Sequence, residues 1–137
     1  MTVYLDTSFL VSALTTDALT PRAHAYLRTM DRRVLVSDWT TAEFCSALAN
    51  QPTVRGRKAS EAFDAMDLWV GRLTERVPVV ARDIEMAETI IRGQDTRLRT
   101  PDALHVAIAQ RLGAELVTFD KVMSDAARNQ GVAVAAI

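Results

Sequence analysis

The chain has 137 residues, 49% of them hydrophobic, and a formal net charge of -1. These values suit one domain with a full core, and they exclude a uniformly basic nucleic-acid coat, though not a local one. No apolar run approaches the roughly 20 residues of a membrane span and no charged leader precedes the first apolar run, so the expected location is the cytoplasm.

Val3, Tyr4 and Leu5 predict a buried strand that ends at Asp6, with a short helix over residues 8–14. Asp6 is placed beyond the carboxyl end of a strand, where open parallel sheets hold their ligands. Taken alone, it would equally be a helix cap. Thr20-Pro21 starts the next helix, with Thr20 as N-cap and a stripe of Ala23, Tyr26, Leu27 and Met30. His24 lies on its surface. Val34, Leu35 and Val36, closed by Ser37-Asp38, predict a second strand and a cap. The following helix carries Ala42, Glu43, Phe44, Cys45, Ala47 and Leu48 and stops at Gln51-Pro52. Cys45, the only cysteine, reads as a small core residue and rules out an internal disulfide.

Arg55-Gly56-Arg57-Lys58 reads as a basic loop before a helix over residues 60–73, whose apolar face holds Phe63, Met66, Trp69, Val70 and Leu73. Residues 77–81 form a third strand that Pro78 confines to an edge or a short piece. Asp83 caps a helix with Ile84, Ala87, Ile90 and Ile91 facing inward and Gly93 at its stop. A polar loop with Arg97 and Arg99 leads into Thr100-Pro101, which opens a helix running to Gly113. Leu116 and Val117 form the fourth strand and lead to Thr118-Phe119-Asp120. A short helix follows, and residues 132–137 are expected to close the sheet. Short apolar strands alternating with helices mean parallel βαβ units with helices on both faces.

The acids fall at strand ends and helix starts. If the first and fourth strands are neighbours, Asp6 and Asp120 share one sheet edge. Asp102 stands near a helix N-terminus, which favours its ionised form by roughly 0.3–1 kcal/mol. Glu43 sits among apolar neighbours and needs a partner, because burying a lone charge is costly. Asp6, Glu43, Asp102 and Asp120 converging would repel one another unless a cation joined them. Carboxylate and water ligation suits Mg2+ or Mn2+, and such a site serves phosphoryl chemistry. Ser8 and Thr118 could support the carboxylates. His105, one helical turn after Asp102, reads as a packed or supporting histidine. Asp125 lies one turn beyond Asp120. Asp38 and Asp83 read as caps.

Four blocks occur in order: Val3-Tyr-Leu-Asp-Thr-Ser8, Ser37-x-x-Thr-x-x-Glu-Phe44 with Glu43 inside it, Arg99-Thr-Pro-Asp-Ala-Leu-His-Val-Ala-Ile-Ala109, and Leu116-Val-Thr-Phe-Asp120. Together they make the chain resemble a PIN-domain nuclease, and more narrowly a VapC-type toxin of bacterial toxin–antitoxin pairs. The resemblance spans nearly all of residues 1–137 as a single domain. It implies a three-layer α/β/α fold with a central, mostly parallel sheet. It also implies Mg2+- or Mn2+-dependent endonuclease cleavage of RNA, a cognate antitoxin and toxin dimerisation. By matched position the site acids are Asp6, Glu43, Asp102 and Asp120, with Asp6, Asp102 and Asp120 on the metal and Ser8 and Thr118 in support.

An RNA surface on so acidic a chain must be local. Arg greatly outnumbers Lys, and Arg suits bidentate contact with phosphate. Arg97 and Arg99 are nominated as substrate contacts, with Arg55, Arg57 and Lys58 as weaker choices. Two rivals remain at this point. One is phosphoryl transfer through an aspartyl-phosphate on Asp6, although Ser8 stands where a second acid is usual. The other is a receiver-like signalling domain, for which Lys121 is a poor match to the late lysine required. The face of Phe63, Met66, Trp69, Val70 and Leu73, with Trp39 and Phe44, is an equal candidate for a partner surface or for core.

Overall fold

The structure is a computed structural model that describes residues 1–51, 57–93 and 97–137, apart from the side chains of Arg57 and Lys58. Its strands are β1 (Thr2–Leu5), β2 (Arg33–Ser37), β3 (Glu75–Val77) and β4 (Glu115–Val117). They form a parallel sheet in the order β3-β2-β1-β4. The helices are α1 (Thr7–Leu14), α2 (Thr20–Thr29), α3 (Asp38–Ala49), α4 (Arg57–Leu73), α5 (Ala81–Gly93), α6 (Thr100–Leu112) and α7 (Lys121–Asn129).

β1 is a central strand, and Val3, Tyr4 and Leu5 are wholly buried. A strand covered on both faces needs apolar residues at every position, which is why this run does not alternate. The two-residue period still decides where each side chain goes. Tyr4, Leu35, Val77 and Leu116 point to one core with Ile90 of α5, Leu104 and Ile108 of α6 and Met123 of α7. Val3, Leu5, Val36 and Val117 point to the other, with Phe9 and Leu10 of α1, Phe44 and Leu48 of α3 and Met66 and Val70 of α4. The result is the expected three layers. Emptying a position such as Leu116 would cost about 2–5 kcal/mol.

The pairing of β1 with β4 sets the site. Leu5 stands opposite Val117, and the Asp6 amide donates to the Val117 carbonyl at 3.2 Å. Both strands therefore end at the same edge, and their following acids emerge together.

Several local expectations are corrected. Residues 132–137 form no strand; Val134 makes one isolated bridge to Leu116. β3 begins earlier than expected and ends before Pro78, which has no amide to give a ladder. Pro78 thus bounds an edge strand and does not lie within it. α2 starts at Thr20 itself, whose hydroxyl donates to the Ser12 and Thr15 carbonyls. α4 starts at Arg57, so Arg57 and Lys58 belong to a helix and not to a loop. Arg55 lies outside the described residues, as do the Arg57 and Lys58 side chains. Phe44 is fully buried, which decides its open placement for the core, and Ile84 is 51% exposed, against its expected inward face. On α4, Met66 and Val70 are buried and Phe63 and Trp69 pack on the core. Of that proposed partner face only Leu73 is exposed. Among the described residues, no helix is long and apolar enough to cross a membrane.

Candidate active site

Asp6, Glu43, Asp102 and Asp120 line one cleft of about 400 Å³, together with Thr7, Ser8, Asp17 and His105. β1, α3, α6 and β4 each deliver one acid, from positions up to 114 apart in sequence (120 − 6).

Asp6 is both cap and cleft residue. Its Oδ1 accepts the Phe9 amide at 2.9 Å, which closes the N-terminus of α1. The Ser8 hydroxyl reaches Oδ1 and Oδ2 at 2.9 and 2.8 Å, and the Thr118 hydroxyl donates to Oδ2 at 2.6 Å. Three protons thus serve a carboxylate with about four acceptor positions, which leaves one for a further ligand. Thr118 in turn accepts the Asp120 amide at 2.9 Å, and Ser8 accepts the Phe119 amide at 3.1 Å. These two hydroxyls tie the ends of β1 and β4 together. Asp120 repeats the pattern of Asp6: its Oδ1 accepts the Met123 amide at 2.8 Å and caps α7.

Glu43 is held by different means. Thr7 donates to its Oε1 at 2.8 Å, and His105 Nε2 stands 2.6 Å from the same oxygen. A carboxylate only accepts, so the Nε2 proton is the one given to Glu43. The opposite nitrogen, Nδ1, lies 2.7 Å from the Tyr4 hydroxyl, which also meets Ser37 Oγ at 2.8 Å and Thr40 Oγ1 at 3.1 Å. Ser37 and Thr40 form the capping box of α3. A buried polar chain therefore runs from the start of α3, through Tyr4 and His105, to Glu43 one turn further along the same helix. Tyr4 and Thr7 were not singled out from the sequence. The available signal was the one polar-tipped residue in a buried strand, because a buried tyrosine hydroxyl needs a partner.

Arg99 and Asp102 are 3.7 Å apart, and both arginines, Arg97 and Arg99, are exposed and stand outside the lining of the cleft. Asp125 lies on the surface of α7 between Lys121 and Arg128, away from the acids. Ser37, and not Asp38, caps α3, while Asp38 pairs with Arg76 at 2.5 Å. Asp83 is the third residue of α5 and not its N-cap; from inside the helix it accepts the Val80 amide at 3.0 Å.

A model of the PIN domain matches residues 3–129. The chain belongs to the PIN-domain family. It is also 34% identical over 137 residues to ribonuclease VapC46 of Mycobacterium tuberculosis, covering 98% of this chain and 96% of that one. Among solved structures, two neighbours illustrate the shared fold. The M. tuberculosis VapC20 structure, of a toxin that cleaves the sarcin–ricin loop, has a TM-score of 0.76 at 20% identity and covers 90% of this chain and 94% of its own. A toxin–antitoxin complex from Klebsiella pneumoniae has a TM-score of 0.68 at 16% identity and covers 89% of each chain. This PIN domain is of the VapC type.

The electrostatics of the PIN domain's cleft are uneven. Burial pushes the Asp6 carboxyl above its ordinary range, against the pull of His105, Thr118, Phe9 and Ser8. Asp102 is also raised, by burial first and then by repulsion from Asp120, with Arg99 opposing. Burial and Asp120 thus act against the helix N-terminus that favours the Asp102 anion. Burial acts to raise Glu43 too, but His105, Thr7 and Arg99 outweigh it and hold its carboxyl below the usual value. Among the described residues, no three His, Cys, Asp or Glu side chains stand as a ready metal cage.

Proposed function

We propose that this PIN domain is a Mg2+- or Mn2+-dependent endoribonuclease acting in the cytoplasm as the toxin of a type II toxin–antitoxin pair. The observation that carries the reading is the set of four acids on one cleft at the carboxyl edge of the sheet.

The donor set fits a hard divalent ion. It is all oxygen, Asp102 and Asp120 repel each other, and buried Asp6 keeps one acceptor position. Mg2+ binds through one or two carboxylates and keeps several waters, so it needs no closed cage of side chains. Asp6, Asp102 and Asp120 would hold it. When bound, the ion would polarise the phosphoryl group and ease the ionisation of water. Ser8 and Thr118 fix the two Asp6 oxygens. Glu43, ionised and fixed through Oε1, has Oε2 to orient the attacking water and take its proton. Arg99, beside Asp102, is a candidate contact for substrate phosphate, and Arg97 is its neighbour in the same loop.

Asp6→Asn keeps an oxygen for the Phe9 amide, so this variant should fold yet cleave RNA no faster than background. Wild-type protein should behave the same way in excess EDTA and recover when Mg2+ or Mn2+ is restored. Full cleavage in either case sinks the reading.

A cognate antitoxin is inferred from the VapC-type relative and from the likeness to a toxin–antitoxin complex. Self-association into a homodimer is inferred from Leu68 and Leu73 of α4, which are 56% and 61% exposed. The aspartyl-phosphate and receiver readings are not favoured. An aspartyl-phosphate site usually has a second acid two residues after its nucleophile, and Ser8 stands there, its hydroxyl on both Asp6 oxygens. Lys121, the lysine those readings need, turns to Asp125 at 3.4 Å.

A further inference from the structure

Beside the acidic cleft lies a second one of about 300 Å³, and the two share Leu19, Phe119 and Asp120. Their chemistry is opposite. The charged residues lining the first are Asp6, Asp17, Glu43, Asp102 and Asp120. The second is lined by Arg22, Lys121 and Arg128, with Asp120 at the common boundary.

The basic groups are held in different ways. The Arg22 guanidinium lies 5.4 Å from the centre of the Phe119 ring, and it donates to the Ile137 carbonyl. Phe119 is itself stacked on Phe9, with ring centres 5.5 Å apart. Arg22 is therefore pre-placed on a rigid wall between the clefts. Lys121 and Arg128 share Asp125 at 3.4 and 3.5 Å. Their side chains are 88% and 57% exposed, and such solvated pairs exchange partners readily.

We propose that Arg22, Lys121 and Arg128 bind the RNA phosphates next to the scissile one, so that the strand enters the acids across Asp120. The inference rests on the nuclease reading. It names a substrate surface joined to the acids at Asp120, in addition to Arg99 beside Asp102. Contiguity favours RNA over an acidic peptide, because a ligand filling both clefts must bring its reacting phosphodiester and its neighbouring negative charges on one backbone.

The test uses a short fluorescein-labelled single-stranded RNA of mixed sequence, with Asp6→Asn protein in Mg2+ as the uncut parent. Adding Lys121→Ala and Arg128→Ala should weaken binding about tenfold and flatten the slope of log Kd against log salt by about 1.4, two phosphate contacts at roughly 0.7 each. Arg22→Gln should weaken binding further. Arg33→Ala, which removes a partner of Glu75 at the far end of the sheet, should change neither quantity. The exposed pairs add little stability, so the Tm of the double variant should match its parent.

Unchanged affinity and slope in the double variant would overturn the inference and leave the nuclease reading intact. So would retained RNA binding with lost binding of polyglutamate, which would assign the cleft to a protein partner. A parent that binds no RNA, together with wild-type protein that cuts none, would remove the nuclease reading and this inference with it.

Discussion

A buried histidine that must offer one nitrogen to a carboxylate needs its other nitrogen governed as well. His105 is 1% exposed, and Tyr4 occupies its Nδ1 side. Removing only that hydroxyl, as Tyr4→Phe, frees the ring to change tautomer and loosens Glu43. We expect kcat to fall about 10- to 100-fold, the range for partners that orient active-site ligands, with KM little changed. The unpaired groups left behind should cost about 1–3 kcal/mol of stability. Steady-state kinetics on the folded fraction would check this, and an intact kcat would free Glu43 of any need for the chain behind it. Asp6 makes a different prediction. Its folded-state pKa lies above the ordinary value, so the folded protein binds that proton more tightly than the unfolded one. Stability contributed by the neutral form is therefore lost as pH rises from the ordinary carboxylate value through the raised one. Asp6→Asn carries no such loss. In metal-free buffer its Tm should gain on wild type as pH rises and fall back to parity in acid. A pH-independent difference would place the burial penalty elsewhere.

At the scale of elements, α5 and α6 are joined by an ion pair that has no part in the cleft. Arg111 reaches Asp83 at 2.6 and 3.0 Å and the Pro78 carbonyl at 3.0 Å, and Asp83 is 1% exposed. Arg111→Leu strands a buried carboxylate and should cost about 3 kcal/mol, or roughly 10 °C in Tm. RNA cleavage per folded molecule should be unaffected. Asp83 was legible in the sequence only as a cap, since Arg111 lies on another helix and nothing local points to it. The same limit explains the other gaps. The apolar runs that end in Asp6 and Asp120 were readable because strand, acid and helix start are consecutive. The link from Glu43 to His105 spans 62 positions and exists only once α3 and α6 meet. Ile84 was misplaced and Phe44 left open because a helical stripe tells which residues share a face and not how much of it is covered. The tail at 132–137 has strand-like composition, yet it finds only one bridging partner at Leu116.

For the whole molecule, the exposed apolar residues bear on assembly. Leu68 and Leu73 are exposed on α4, whose Met66 and Val70 pack on the core, and the proposed homodimer would cover them. Light scattering should give twice the chain mass, and Leu68→Glu with Leu73→Glu should give the single-chain mass with a Tm that no longer rises with protein concentration. A stable interface buries about 1,200–2,000 Å² in total, so these two leucines would be the centre of a larger contact. A wild-type chain that scatters as a monomer at all concentrations would remove the homodimer from the proposal.

Asp6 and Asp120 each close the first turn of a helix while facing the cleft. Two demands thus act on the same atoms, and selection for a folded chain alone would still hold both positions to capping residues such as Asp, Asn or Ser in a descendant that had abandoned chemistry. Glu43 carries no such second duty, for its partners are Thr7 and His105 and no helix end depends on it. Across a lineage, the glutamate is therefore the better witness of activity. Its replacement beside two retained capping residues would mark a copy that keeps the fold without the proposed chemistry.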